Sequence, residues 1–166
     1  LRFTAKLDAL SDILDTMLAE DKKLVIMARF VPELNDIQKL LKKKNIGYAS
    51  VRGGISDRTE EIRRFQEDAD CRVFVGQIAA AGLGITLTAA STMVFYSLDY
   101  SMSNFEQAKA RIHRVSQTEN CLYIYLIAKN TVDAKILRSL RDKVDLARTL
   151  VDDYRNGINP FQEKED

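Results

Sequence analysis

The segment Lys23–Val51, KLVIMARFVPELNDIQKLLKKKNIGYASV, states the architecture of the chain. Lys23 to Met27 is a short apolar run with no polar face, the pattern of a buried strand. Pro32 follows where the first turn of a helix tolerates a residue without an N–H. Leu34, Ile37, Leu40 and Leu41 then recur at helical spacing. Asn45 and Gly47 suit the left-handed geometry that ends a helix, and Tyr48 to Val51 reads as a second strand. A strand apolar on both faces, joined through a helix to another strand, implies a parallel sheet covered on both sides.

Outward from this unit the alternation continues. Upstream, Thr4 suits an N-cap, and Leu7, Leu10, Ile13, Leu14, Met17 and Leu18 give a first amphipathic helix. Downstream, Ser56 or Asp57 can cap a helix through Phe65, and Arg72 to Val75 reads as the third strand. A small-residue loop spans Ala79 to Gly84, and Thr92 to Tyr96 reads as the fourth strand. Ser103 is placed to cap a helix reaching about Arg114. Leu122 to Ile127 is the fifth strand, and Thr131 can cap a last long helix to Tyr154. The fold class is α/β, with residues 1–155 as one domain and 156–166 as a polar tail or linker. In such sheets ligands sit beyond the carboxyl ends of strands. That rule directs attention to Ala28-Arg29, Arg52 to Gly54, Gln77 to Thr88, and the predicted helix holding Arg111 and Arg114.

Composition narrows the classes. A chain of 166 residues can bury a real core without metal or disulfide support. The apolar stretches around Val73 and Ile85 are broken far short of a membrane span, so no membrane partner is expected. The start at Leu1 reads as a piece of something longer. Because 25 Lys and Arg nearly balance 24 Asp and Glu, bulk charge is silent on nucleic acid, although a local basic patch is compatible with it. Cys71 and Cys121 each open a strand-like run and read as thiols of a reducing cytoplasm. With one histidine and no paired Cys or His spacing, no metal site is expected.

Three constellations carry possible chemistry. In Gln107–Gln117, QAKARIHRVSQ, Arg111 and Arg114 are three apart and would share one helix face. Two guanidiniums on one face suit a phosphate or pyrophosphate, since each fork stays charged and donates to two oxygens. Spacing alone equally fits a solvated basic face. In Ala79–Ile85, AAAGLGI, glycines permit close approach of the backbone to a phosphate, and a plain strand-to-helix connection fits as well. No G-K-[ST] loop occurs anywhere in the chain, so this is no Walker A site. Arg52-Gly53-Gly54 at a strand end suits a nucleic-acid phosphate or a simple turn. His113 has no Ser or Cys nucleophile beside it and reads as structural or as a hydrogen-bond donor.

Taken in order, these segments resemble the C-terminal helicase lobe of the Swi/Snf branch of superfamily-two ATPases, over about Lys23 to Leu137. Lys23–Phe30 resembles motif IV. Tyr48–Phe65 is similar to the segment with an Asp-Gly-Ser turn, an arginine, and a phenylalanine seven residues later, here Arg58 and Phe65. Val73–Leu87 is similar to motif V through Gly82, Leu83, Gly84 and Ile85. Gln107–Gln117 is similar to motif VI through Gln107, Ala108, Arg111, His113, Arg114 and Gln117. Lys129–Leu137, KNTVDAKIL, follows the family's Lys-Gly-Thr-Val-Glu-Glu-Lys-Ile-Leu. The chain departs at Ser116, usually glycine; at Gln77-Ile78-Ala79, usually Ser-Thr-Lys; and at Ala28-Arg29, usually Ser-Gln.

The resemblance implies a RecA-like three-layer fold of the P-loop NTPase type, lacking the P-loop itself. It implies half of a DNA-dependent ATPase, a translocase lobe that works with an N-terminal RecA-like lobe holding most of the ATP and Mg²⁺ contacts. Arg111 and Arg114 would be its catalytic arginine fingers; Gly82, Gly84 and Gln107 would contact ATP. Arg29, Arg52, Gly53, Gly54 and Thr86 would contact double-stranded DNA. A non-catalytic DNA- or partner-binding lobe, and a strand-separating helicase of a neighbouring branch, are the competing readings. Compact loops between motifs point to a bacterial or phage source and a cytoplasmic setting, or a nuclear one in a eukaryote.

Overall fold

The computed structural model describes residues 2–51, 58–79, 84–129 and 131–157, with side chains from Ala5 onward. Its centre is strand β1 (Leu24–Ala28), whose five residues are all buried. β1 lies between β3 (Cys71–Gln77) and β4 (Thr92–Phe95), while β2 (Gly47–Val51) and β5 (Leu122–Tyr125) close the edges in the order β2-β3-β1-β4-β5. Every pairing is parallel. Alternate residues of the strands enter two separate cores. Leu24, Ile26, Val73, Val75, Val94 and Tyr96 meet Leu10, Leu14 and Met17 of α1 (Arg2–Ala19) and Leu34, Ile37 and Leu41 of α2 (Val31–Lys43). Val25, Met27, Phe74, Met93 and Phe95 meet Phe65 of α3 (Arg58–Glu67), Phe105 and Ala108 of α4 (Met102–Lys109), and Ile136 and Leu140 of α5 (Val132–Arg155). The expected α/β sheet covered on both faces is therefore present. β1 and β4 are buried throughout and β3 at all but Arg72 and Gln77, while the edge strands β2 and β5 are partly exposed.

Helix boundaries depart from the sequence reading in instructive places. α1 begins at Arg2, so Thr4 lies inside the helix and not at its cap. Capping preference is a bias, and residues ahead of it continue the helix. α2 ends as expected at Asn45, which adopts φ 56°. Ile46 N–H donates to Leu41 O at 2.9 Å and Asn45 N–H to Lys42 O at 3.0 Å, the paired bonds of a Schellman ending. Gly47 has a different task from capping: it opens β2 where a Cβ would lie 2.2 Å from the Asp70 carbonyl oxygen. Asp21 ends α1 in the same left-handed way, with φ 55° and Lys22 N–H bonded to Met17 O at 3.0 Å. Lys23 closes α3 by donating to Phe65 O at 2.5 Å and Asp68 O at 2.7 Å. Burial holds its ammonium below the usual lysine range.

The largest correction concerns α4. Its N-cap is Ser101, whose hydroxyl accepts from Asn104 N–H at 3.2 Å, not Ser103. The helix stops at Lys109, so neither Arg111 nor Arg114 stands on it. Thr131 does occupy the N-cap position of α5, yet its hydroxyl donates backward to Ala128 O at 2.7 Å and caps no helical N–H.

Gly47→Ala is expected to lower unfolding stability by about 1–3 kcal/mol, because both close neighbours are backbone atoms that cannot step aside. Urea unfolding followed by circular dichroism measures it; an unchanged midpoint would show that the β2 start relaxes freely.

Candidate functional site

After Lys109 the chain turns back on itself. Arg111 N–H donates to Ala108 O at 3.1 Å, His113 N–H to Lys109 O at 3.3 Å, and Gln117 N–H to Arg114 O at 2.9 Å. This compact turn packs against residues 84–90, which lead into β4. Leu87 N–H donates to Arg111 O at 2.9 Å. The Gln117 carboxamide donates to Ala90 O at 2.7 Å, Ile112 O at 3.0 Å and Thr88 O at 3.3 Å. From the other side, the Gln66 amide donates to Thr88 Oγ1 at 3.2 Å and its oxygen accepts from Ala89 N–H at 2.8 Å. Ser116, the unusual residue of its motif, brings its hydroxyl to within 3.5 Å of Thr88 Oγ1. Two stretches without regular structure are thereby sewn into one surface.

That surface carries the two arginines. Arg111 is buried, its Nε donating to Gln107 O at 2.9 Å and an Nη to Ile85 O at 3.5 Å. Burial, then the like charge of Arg114, press the pKa of its guanidinium downward. Arg114 is exposed and donates to Thr86 Oγ1 at 2.7 Å and to Ala110 O at 3.3 Å. Among the described residues neither arginine meets a carboxylate within ion-pair distance. Two neighbouring cations held by carbonyls and a hydroxyl keep their charge available to an anion.

The structure brings Arg111, Arg114, Gln107, Thr86 and Gly84 into one region. Gln107 contributes mainly its carbonyl, while its exposed amide donates to Ser103 Oγ at 3.2 Å. Gly84 has φ +73° with nothing within 4 Å of a Cβ position, so the backbone there is open and in glycine's own conformation. Gly82, Arg52, Gly53 and Gly54 lie outside the described residues. Arg29 lies at a carboxyl strand end, as expected, and the arginine pair does not. Gln117 grips Ala90, ahead of β4, and Cys121, ahead of β5, sits 3.8 Å from Ile112 O, so the turn lies at the amino ends of those strands.

Arg29 stands at the carboxyl end of β1, its guanidinium 4.9 Å over the Phe30 ring. Its N–H donates to Ser97 Oγ at 2.7 Å, and its carbonyl accepts from Gln77 Nε2 at 3.1 Å. Ser97 in turn donates to buried Glu33 at 2.6 Å, and the same carboxylate oxygen accepts from Phe30 N–H at 3.1 Å. The motif V departure at Gln77 thus positions the motif IV arginine. Sequence reasoning named neither Gln66 nor Glu33, and it singled out Gln77 only as a departure from motif V; each acts across elements, and the Gln117 motif match was the other signal of this network.

Among the described residues no three His, Cys, Asp or Glu side chains gather as a metal site, and no helix is long and apolar enough to cross a membrane. Cys71 is buried and Cys121 half-buried, both as free thiols.

Comparison with known proteins fits this geometry. The family model of the helicase conserved C-terminal domain matches residues 5–116. The fruit-fly SWI/SNF-related matrix-associated actin-dependent regulator of chromatin subfamily A-like protein 1 is 35% identical over 88% of this chain and 20% of its own length. The mouse regulator of subfamily A containing DEAD/H box 1 is 33% identical over 95% of this chain and 16% of its length. The Arabidopsis chromatin-remodeling ATPase INO80 is 34% identical over 84% of this chain and 9% of its length. The crystal structure of the C-terminal part of the Fun30 ATPase domain superposes with a TM-score of 0.78 at 28% identity, covering 81% of this chain and 44% of that one. The chain thus spans a fifth or less of these curated relatives. A parallel RecA-like sheet, four motifs in order and a family match over most of the length together place the chain in the helicase conserved C-terminal domain family, as a Swi/Snf-type second lobe.

Proposed function

We propose that this lobe completes the ATP site of a DNA-dependent translocase by supplying Arg111 and Arg114 as arginine fingers. The observation that carries the reading is the pair itself: two adjacent guanidiniums, one buried and one exposed, with no carboxylate partner among the described residues. An N-terminal RecA-like lobe would hold the nucleotide and its Mg²⁺. Closure of the two lobes would bring Arg114 to the terminal phosphates, with Arg111 fixing the turn and adding charge beside it. Preorganised cations of this kind stabilise charge that develops on a transferring phosphoryl group. Gly82, Gly84 and Gln107 would border the nucleotide.

Duplex DNA would lie along the phosphate-facing residues Arg29, Arg52, Gly53, Gly54 and Thr86, read by its backbone and not its bases. Thr86 is the joint of the two halves, since its hydroxyl accepts from Arg114. A DNA phosphate that recruited Thr86 would release or re-aim Arg114, which supports a coupling of DNA contact to hydrolysis. The setting would follow the DNA: cytoplasm in a bacterium, nucleus in a eukaryote.

Arg114→Ala in the parent protein should lower DNA-stimulated ATP hydrolysis by about 10³-fold or more, while ATP affinity measured with a labelled nucleotide changes only a few-fold. Near-normal turnover would remove the arginine-finger assignment. The 166-residue chain alone should hydrolyse no ATP above the buffer rate in a phosphate-release assay; clear activity would overturn the half-site reading. Arg29→Ala should weaken DNA binding uniformly across sequences and reduce the slope of log affinity against log salt by about one. A sequence-dependent loss would argue for base contact instead.

A further inference from the structure

Residues 84–90 hold Arg114 through Thr86 and are themselves held from two sides. One side is the arginine turn, to which Leu87 N–H, Thr88 O and Ala90 O all bond. Those bonds join the segment to the turn, so they cannot by themselves fix where the two stand on the sheet. Burial of Leu87, Ala90 and Ile112 sets their depth in the core. Apolar contact is non-directional, however, and fixes no orientation. Hydrogen bonds to a third element supply one. Gln66 of α3 makes two, to adjacent residues: its carboxamide nitrogen donates to Thr88 Oγ1 at 3.2 Å, and its oxygen accepts from Ala89 N–H at 2.8 Å.

The backbone of Gln66 is itself anchored. It follows Phe65, which is fully buried with its ring edge-on to Phe74 at 5.6 Å and whose carbonyl accepts from Lys23. One turn earlier, Glu61 accepts from Ser50 N–H at 2.8 Å and ties α3 to β2. With both ends of its amide engaged, the half-buried Gln66 side chain has one orientation that satisfies its partners. The path from α3 to the exposed guanidinium is short. It runs from Gln66 to Thr88 and Ala89, back two residues to Thr86, and from Thr86 Oγ1 to Arg114 at 2.7 Å.

We infer that Gln66 is a positioning residue for the arginine pair: from α3 it fixes residues 86–90, and so the place of the Thr86 hydroxyl that holds Arg114. The kinetic consequence rests on the arginine-finger reading; the placement does not.

The chemistry of the side chain sets the test. Leucine is close to glutamine in size and offers no polar atom. Glutamate keeps both bonds, accepting from Ala89 N–H and from a Thr88 hydroxyl that turns to donate. In the 166-residue chain, hydrogen exchange read by mass spectrometry should be at least about 10-fold faster at residues 86–90 and 111–117 in Gln66→Leu, and unchanged in Gln66→Glu. In the parent protein, Gln66→Leu should lower kcat of DNA-stimulated ATP hydrolysis about 10-fold or more, with KM for ATP and DNA affinity within about 3-fold. Gln66→Glu should restore most of that rate.

Unchanged exchange at residues 111–117 overturns the positioning. So does an equal loss of rate in the leucine and glutamate variants, or a rise in KM with kcat intact. If Arg114→Ala is inactive while Gln66→Leu turns over normally, the role of Gln66 fails and the arginine-finger reading stands. If Arg114→Ala stays active, that reading fails by itself, and faster exchange in Gln66→Leu still supports the placement. Where Gln66→Leu does not fold, Thr88→Val removes the hydroxyl end of the contact and should speed exchange at residues 111–117; no change there overturns the proposal equally.

Discussion

Residues 84–91 enter β4 with neither helix nor strand to satisfy their backbone, and a buried carbonyl without a donor costs about 1–3 kcal/mol. The Gln117 amide meets two of those carbonyls, Thr88 O and Ala90 O, and also reaches Ile112 O. Gln66 answers from α3 through Ala89 N–H, and the Arg111 carbonyl takes Leu87 N–H. These bonds each contribute only about 0.5–1.5 kcal/mol net. Their geometric effect is larger, because the same segment presents Ile85 O and Thr86 Oγ1 to the two guanidiniums. The arginines are aimed by the need to satisfy an irregular segment, not by a helix face.

How much of this was legible follows from the same physics. The middle strands were readable because β1, β3 and β4 must be apolar on both faces, and Leu24–Met27 or Val73–Val75 can be nothing else in so short a run. The Asn45 ending was readable because few residues other than glycine tolerate φ near 56°. Ending α4 at Lys109 was not. Ala110 to Arg114 contains no glycine or proline, so local propensity favours a helix, and the tertiary bonds at Leu87 and Gln117 override it. The arginine pair was therefore found for a partly mistaken reason. Its spacing suggested a shared helix face, and its proximity comes from a turn. Gln66 was invisible because its partners, Thr88 and Ala89, are more than twenty residues away and lie in no pattern of their own.

Two hydrogen-bonded groups of residues lie at opposite ends of the sheet. Arg29, Ser97, Glu33 and Gln77 are linked at the carboxyl ends of β1, β3 and β4, while the Arg111–Gln117 turn sits at the amino ends of β4 and β5. Residues 84–90 serve the second group, and they follow from β3, whose last residue Gln77 serves the first.

Charge decides which of the 25 basic residues can do such work. A net charge of +1 says nothing about it, because neutralisation is local. On α3, Arg63 pairs with Glu60 and Glu67, and Arg64 pairs with Glu61, at 2.7 to 3.2 Å. Solvent screens those exposed pairs, and they leave their guanidiniums committed. Arg111 and Arg114 are held instead by carbonyls and a hydroxyl, none of which cancels a cation, whereas the Arg29 guanidinium lies over the Phe30 ring with the Asp99 carboxylate in its field. Positioning by neutral partners fixes where an arginine points while its field stays intact. An anion arriving at the Arg111–Arg114 pair would displace no carboxylate and would meet forks already oriented, so little ordering cost would oppose its binding.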